Sequence, residues 1–420
     1  MLRRSNLSPP ALPHVTPTPE NPAARLSPTE RVLILFALSL GGFAIGTSEF
    51  ASMGLMLEIS RGLGIGESQV GHLISAYAVG VVVGAPVLAF AGARLPRRTL
   101  LLLLMGFYAV GNLGSALAPD YHSALLARFI AGLPHGAYFG VAMLVAAAIS
   151  PPAQRGAAIS KVMLGLSIAI LAGNPLTTWL GQHASWRIAF ALVSVLAIVT
   201  VVLIARFLRP DPHEPRTSPM RELKAFNRAQ VWLALAIGAI GFAGMFCVFT
   251  YLSPTLVRVT GVSEGWMPLA VGAFGLGGLI SNFAGGWLVD RFRFRAAAMV
   301  LLWSIVVLLV FPLAARHLWS VLPAVIAVGT MGALAVVLQS RLMDAAGEAQ
   351  TLAAASNHAA FNTANALGPW LGGIAIDAGL SPASTGYVGA ATAVVGLLLW
   401  GVAAWLERQG ARAEACATAG

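Results

Sequence analysis

Ionisable side chains inside long apolar runs are the places to look for chemistry in this 420-residue chain, and they are few. Glu49 lies about seven residues short of the end of a run over 32–56, roughly 10 Å deep at a rise of about 1.5 Å per residue. Arg128 enters the run 123–149 at a similar depth, and His135 follows seven residues later on the same face, with Phe139 close behind. A carboxylate at that depth can take up and release a proton, a nearby arginine sets how firmly it is held, and histidine titrates near neutrality. Glu49, Arg128 and His135 are therefore the proton-coupling candidates; a permanent structural ion pair and a hydrogen-bonded packing histidine are the other readings of the same residues. On the run 349–377, His358, Asn362 and Asn365 recur at i, i+4 and i+7. Three polar groups on one helix face are costly toward lipid, so they should face an internal cavity. Amides there suit a polyol or sugar-like ligand, and they also serve as interhelical glue. Asn174 invites the same two readings, and Phe139 is an aromatic candidate for the cavity wall.

The elements that hold these residues follow from composition. Hydrophobic residues make up 57% of the chain and charged ones 10%, with a mean hydropathy of +0.79. A water-soluble fold lacks the polar surface such a chain would need. Twelve apolar segments are each long enough to span a bilayer as a helix: 32–56, 69–92, 98–118, 123–149, 157–181, 186–208, 230–254, 265–289, 296–314, 318–341, 349–377 and 383–406. The expected fold is an all-α membrane protein of twelve transmembrane helices. Membrane lipid is its surroundings. The net charge of +10 is spread singly between apolar runs, which argues against nucleic acid as a partner. No phosphate-binding P-loop, nucleophile set or metal-ligand spacing occurs, so no enzyme activity, metal or cofactor is expected.

Loop charge gives the orientation. With twelve crossings the termini share a side with the even-numbered loops, and that side carries 21 Lys and Arg residues. The odd loops carry only Arg61, Arg187, Arg258 and Arg316. This asymmetry places both termini in the cytoplasm. Residues 1–30 hold seven prolines and read as a disordered tail rather than a signal peptide. The stretch 209–229 reads as a cytoplasmic linker between a six-helix bundle at 31–208 and a second at 230–408, with a short tail at 409–420. The halves echo one another: AGLPHGA at 131–137 parallels AVGTMGA at 327–333, with Gly132 and Gly329 offset by 197, and 89–98 aligns with 286–295 at that same offset of 197.

The run Gly286-Trp287-Leu288-Val289-Asp290-Arg291-Phe292-Arg293-Phe294-Arg295 resembles the loop motif of the major facilitator superfamily, with Arg293 where that pattern has glycine. The first-half copy keeps Arg94, Arg97 and Arg98 but has Ala93 in place of the acid. Arg128 to Gly132 resembles the superfamily's R-x-x-x-G element, and Gly165 to Gly181 its Gly/Pro-rich antiporter motif. GTSEF (46–50), GLPHGAYFG (132–140) and SWRIAF (185–190) are similar to the arabinose and sugar efflux permeases of the twelve-helix drug/proton antiporters. The resemblance implies two pseudo-symmetric six-helix bundles in a bacterial inner membrane, acting as a monomer. Alternating access would then export a small solute, sugar-like or drug-like, against protons, with the proton gradient as driving force. Uptake or facilitated diffusion without coupling is the alternative. It also implies a gate of Gly286, Asp290, Arg291, Arg295 and Arg94, with Asp290 near the helix start at Pro151–Pro152.

Overall fold

The computed structural model describes residues 26–92, 94–151, 154–210, 228–346 and 350–419. The expected tail before residue 26 and the linker residues 211–227 lie outside them. The first six crossings are α1 (Pro28–Gly54), α2 (Glu67–Gly92), α3 (Arg97–Leu117), α4 (Tyr121–Ala148), α5 (Arg155–His183) and α6 (Trp186–Phe207). The second six are α7 (Ala229–Thr250), α8 (Met267–Phe292), α9 (Arg295–Ala314), α10 (Leu318–Ala345), α11 (Gln350–Asp377) and α12 (Thr385–Ala419). Eleven are long and apolar enough to cross a membrane. The other, α11, has the length, but its histidine and asparagines lower its apolarity. Residues 409–419, expected as a tail, continue α12 as helix.

Helix starts are set by local chemistry. Ser27 caps α1 in a reciprocal box with Glu30, whose amide donates to Ser27 Oγ at 3.2 Å. Asp120 caps α4, accepting from the Ser123 amide at 2.9 Å, and that bond holds its carboxyl below the usual range. Side chains such as Phe283 (75% exposed) and Trp319 (80% exposed) point outward, as a lipid-facing surface requires.

α1–α6 pack on one another, as do α7–α12, and the two groups meet along α2 with α11, α5 with α8 and α1 with α7. The repeat is visible in the backbone. Gly80 lies against the Phe129 carbonyl and Gly132 in the first half, and Gly277 against the Ile326 carbonyl and Gly329 in the second. Every one of those three pairs is 197 residues apart. A side chain at either glycine would push α2 from α4, or α8 from α10.

The two ends of the interface differ. Near the face that carries the chain ends, here the terminal face, Leu38, Ile45, Tyr108 and Phe139 belong to a core confined to the first half. At the opposite, outer end one apolar core runs through both halves, joining Phe50, Met53 and Ile59 to Phe246, Leu252 and Phe274.

Candidate functional site

Glu49 sits on α1 where it meets α11. Asn365 Nδ2 donates to Glu49 Oε1 at 3.0 Å, and both residues are buried. The expected ion pair between Glu49 and Arg128 is not formed. Successive residues of a helix point about 100° apart, and α1 turns Ser48, not Glu49, toward α4. Arg128 Nη1 donates to Ser48 Oγ at 2.9 Å and Nη2 to the Ser48 carbonyl at 3.2 Å. Ser48 in turn donates to Asn112 Oδ1 at 2.5 Å. The guanidinium lies over the Tyr77 ring at 4.3 Å and the Phe190 ring at 5.1 Å. Neutral oxygens and ring faces therefore solvate this buried charge, which stays within electrostatic reach of Glu49.

A second layer lies deeper. Tyr77 Oη is 3.0 Å from His135 Nδ1 and 3.4 Å from Tyr108 Oη. The His135 ring packs on Phe139, and Phe139 lies parallel to His358 of the other half, with centroids 6.0 Å apart. The three polar residues of α11 thus do different things. Asn365 holds Glu49, His358 stacks on Phe139, and Asn362 donates to the His358 carbonyl of its own helix at 3.0 Å.

Asn174 stands apart. It is 1% exposed, and neither of its amide atoms has a partner among the described residues. It follows a π turn at Ala169–Gly173. Pro175 has no N–H to give to the carbonyl four residues back, so the helical ladder loosens there. The hydroxyl of Thr47, also unpartnered, lies over Gly173. A buried amide and a buried hydroxyl without partners are each open to a neutral hydrogen-bonding solute.

The outer end carries residues that sequence reasoning passed over. Arg61 pairs with Glu264 at 2.6 Å, Arg258 pairs with Glu67, and Ser68 donates to Asp377 at 2.8 Å. Gln182 donates to the Glu264 carbonyl at 2.8 Å. All four contacts join one half to the other. Burial pushes the Glu58 carboxyl up, and the charge of Glu264 adds to the effect. Just inside, Phe50 packs against Phe246, Phe249 and Phe274 of the second half at 6.1–6.4 Å. The usable signal was the scarcity of arginine on this side, since two of the four outer arginines make these bridges.

On the terminal face, among the described residues, Arg209 pairs with Glu30 and Arg341 with Glu407, each within its own half. Asp290, Arg291, Arg295 and Arg94 are exposed there, and Gly286 is half-buried. Asp290 makes no ion pair among the described residues, and part of its expected partner, residue 152, lies outside them, as does Ala93. Arg293 has φ +49, the one non-glycine residue with positive φ among those described.

A membrane-spanning protein whose two repeats seal against each other at one end, around buried polar residues, has the construction of a solute transporter. A family model described as Major Facilitator Superfamily matches residues 38–351, and the chain belongs to that family. It is 38% identical over 369 residues to the inner membrane transport protein YdhP of Escherichia coli O157:H7, covering 87% of this chain and 94% of that one. It is 30% identical over 347 residues to a chloramphenicol resistance protein of Streptomyces lividans, covering 80% and 87%. Among solved structures, a bacterial homolog of the human lysosomal transporter Spinster shares the fold with a TM-score of 0.67 at 17% identity, covering 90% of this chain and 98% of that one. The chain is accordingly a multi-pass transporter of the inner membrane.

Proposed function

We propose that this transporter exports a small neutral solute in exchange for protons, as a monomer with both termini in the cytoplasm and no bound cofactor. The observation that carries the reading is the hydrogen bond between Glu49 and Asn365. It puts a titratable group on the seam between the halves, where its proton state bears on how they meet. The excess of basic residues on the terminal face supports the orientation, and a relative named for chloramphenicol resistance supports export. Asn174, Thr47, Asn362, His358 and Phe139 line the path of the solute. The groups 31–208 and 230–408 rock about the linker 209–229, and Asp290 with Arg291, Arg295, Gly286 and Arg94 closes the terminal face when the outer face opens.

The test uses purified protein in proteoliposomes with a trapped pH-sensitive dye, and chloramphenicol and a set of neutral sugars as probes. A probe gradient should drive proton movement in the wild type. Glu49→Gln keeps the hydrogen-bonding shape and removes the titration. It should lose uphill transport by at least about tenfold, equal to about 1.4 kcal/mol, and retain exchange at equilibrium. Uphill transport by Glu49→Gln at the wild-type rate makes the carboxylate structural. Facilitated diffusion, which the neutral Asn365 partner also permits, then takes its place.

A further inference from the structure

We propose that Asn365 is the residue through which the proton on Glu49 ties the two halves together, a role that rests on the coupling reading of Glu49. The two side chains share a single hydrogen bond, from Asn365 Nδ2 to Glu49 Oε1 at 3.0 Å. The other end of the amide, Asn365 Oδ1, is buried and has no partner among the described residues.

An ionised carboxylate only accepts hydrogen bonds, and so does the amide oxygen. While Glu49 is charged, the pair can use the nitrogen side of the amide and nothing else. A proton on Oε2 changes this. The terminal torsions of both side chains are soft, so the new O–H can turn to donate to Asn365 Oδ1 while Oε1 still accepts from Nδ2. The pair then closes an acid–amide ring of two hydrogen bonds between α1 and α11, and the orphaned oxygen is satisfied. Loss of the proton removes one bond and leaves a charge in the seam. Proton binding therefore does two things at once: it neutralises Glu49 and fastens the halves in the form whose outer end is closed. Asn365 carries no proton of its own and acts as a positioning residue.

Other groups bear on Glu49. Arg128 on α4 and Tyr77 on α2 lie within its electrostatic reach. The second half presents the Asn365 amide, and beside Phe50 the rings of Phe246, Phe249 and Phe274. The carboxyls of Glu58, Glu67, Glu264 and Asp377 lie at the outer end. The comparison is therefore made between proteins that differ only at positions 49 and 365.

The reporter is Ala270→Cys, in a background with Cys247 and Cys416 replaced by serine. Ala270 is buried on α8, one turn outward from Phe274, and should open to solvent when the outer end parts. Full-length protein in lipid nanodiscs is labelled with a membrane-impermeant maleimide, and rates are normalised to an exposed Ser263→Cys reporter. With the native pair, labelling should slow by about three- to tenfold from about pH 8 to about pH 5.5, the worth of one hydrogen bond. Asn365→Ala should reduce that ratio to under about twofold. Asn365→Asp, which keeps a partner for the protonated acid and repels the ionised one, should steepen it. Glu49→Gln, an amide pair that mimics the protonated ring, should label slowly at every pH, and adding Asn365→Ala should make labelling fast at every pH. Should Asn365→Ala keep the native pH ratio, or Asn365→Asp fail to steepen it, while Glu49→Gln is flat, the tie is wrong and the coupling reading stands. If Glu49→Gln itself keeps the native ratio, the coupling reading falls.

Discussion

Gly80 meets Gly132 in the first half as Gly277 meets Gly329 in the second, and Tyr77, whose carbonyl lies against Gly132, has Phe274 in the same place against Gly329. The substitution of polar by apolar continues along the repeat. At the offset of 197, Tyr108 answers to Ile305, Asn112 to Leu309, Arg128 to Val325 and His135 to Gly332. Gly42-Phe43-Ala44 matches Gly241-Phe242-Ala243, which sets Ser48 opposite Cys247 and Glu49 opposite Val248. The duplicated backbone thus carries a buried polar network in one copy and an aromatic, aliphatic face in the other. Burying ionisable groups in both copies would double the desolvation cost. With the network in one half, the other half meets it through Asn365 at Glu49 and His358 at Phe139.

The largest test of this asymmetry sets Arg128→Ala against Val325→Ala at the matching position. Arg128→Ala deletes two hydrogen bonds to Ser48 and the stack on Tyr77. Hydrogen bonds from a charged group are worth about 1.5–3 kcal/mol, so proteoliposome transport should fall by at least about tenfold. Val325→Ala touches no polar group and should change transport by less than about twofold. Equal losses in the two variants would mean that the chemistry is shared between the halves.

Where the halves agree, matched substitutions should act alike. A Cβ at Gly80 or at Gly277 runs into a backbone carbonyl, of Phe129 or Ile326, with no flexible side chain to yield. Gly80→Ala and Gly277→Ala should each destabilise by about 1–3 kcal/mol, the usual cost of overpacking. Melting in lipid nanodiscs should record losses of similar size. A loss confined to one of them breaks the equivalence of the helix crossings.

Much of the scaffold was legible beforehand. The apolar segments place the crossings to within a few residues, because hydrocarbon thickness fixes their length. The stretch 409–420 reads as a tail because its charged residues and short side chains cannot extend a crossing, yet helix continues through it to Ala419. The site was legible in its members and not in its pairings. Arg128 and Glu49 have the depth to meet, but the rotation of α1 about its axis decides whether Ser48 or Glu49 faces α4, and no local pattern encodes that rotation. The bond from Asn365 to Glu49 spans 316 positions. The π turn before Asn174 shifts the helical phase by a fraction of a turn, which periodicity over a Gly-Asn-Pro sequence does not register.

The smallest expected effect concerns the loops that follow α2 and α8. Arg293 enters this loop at φ +49 and ψ −134, a region that side chains avoid, whereas its counterpart Pro96 sits at φ −56. Holding a non-glycine residue there costs about 1–3 kcal/mol. Glycine would remove that strain but lose about 0.4–1 kcal/mol through the greater freedom of the unfolded chain. The net gain for Arg293→Gly is about 1 kcal/mol, a rise of about 1–3 °C in melting temperature for a chain of this size. Pro96→Gly relieves nothing and frees the unfolded chain, so it should lower the melting temperature slightly. The signs must therefore oppose. Should both variants destabilise, Arg293 is held by contacts of its exposed side chain that outweigh the backbone cost, and the difference between the two loops lies in their charges rather than their backbones.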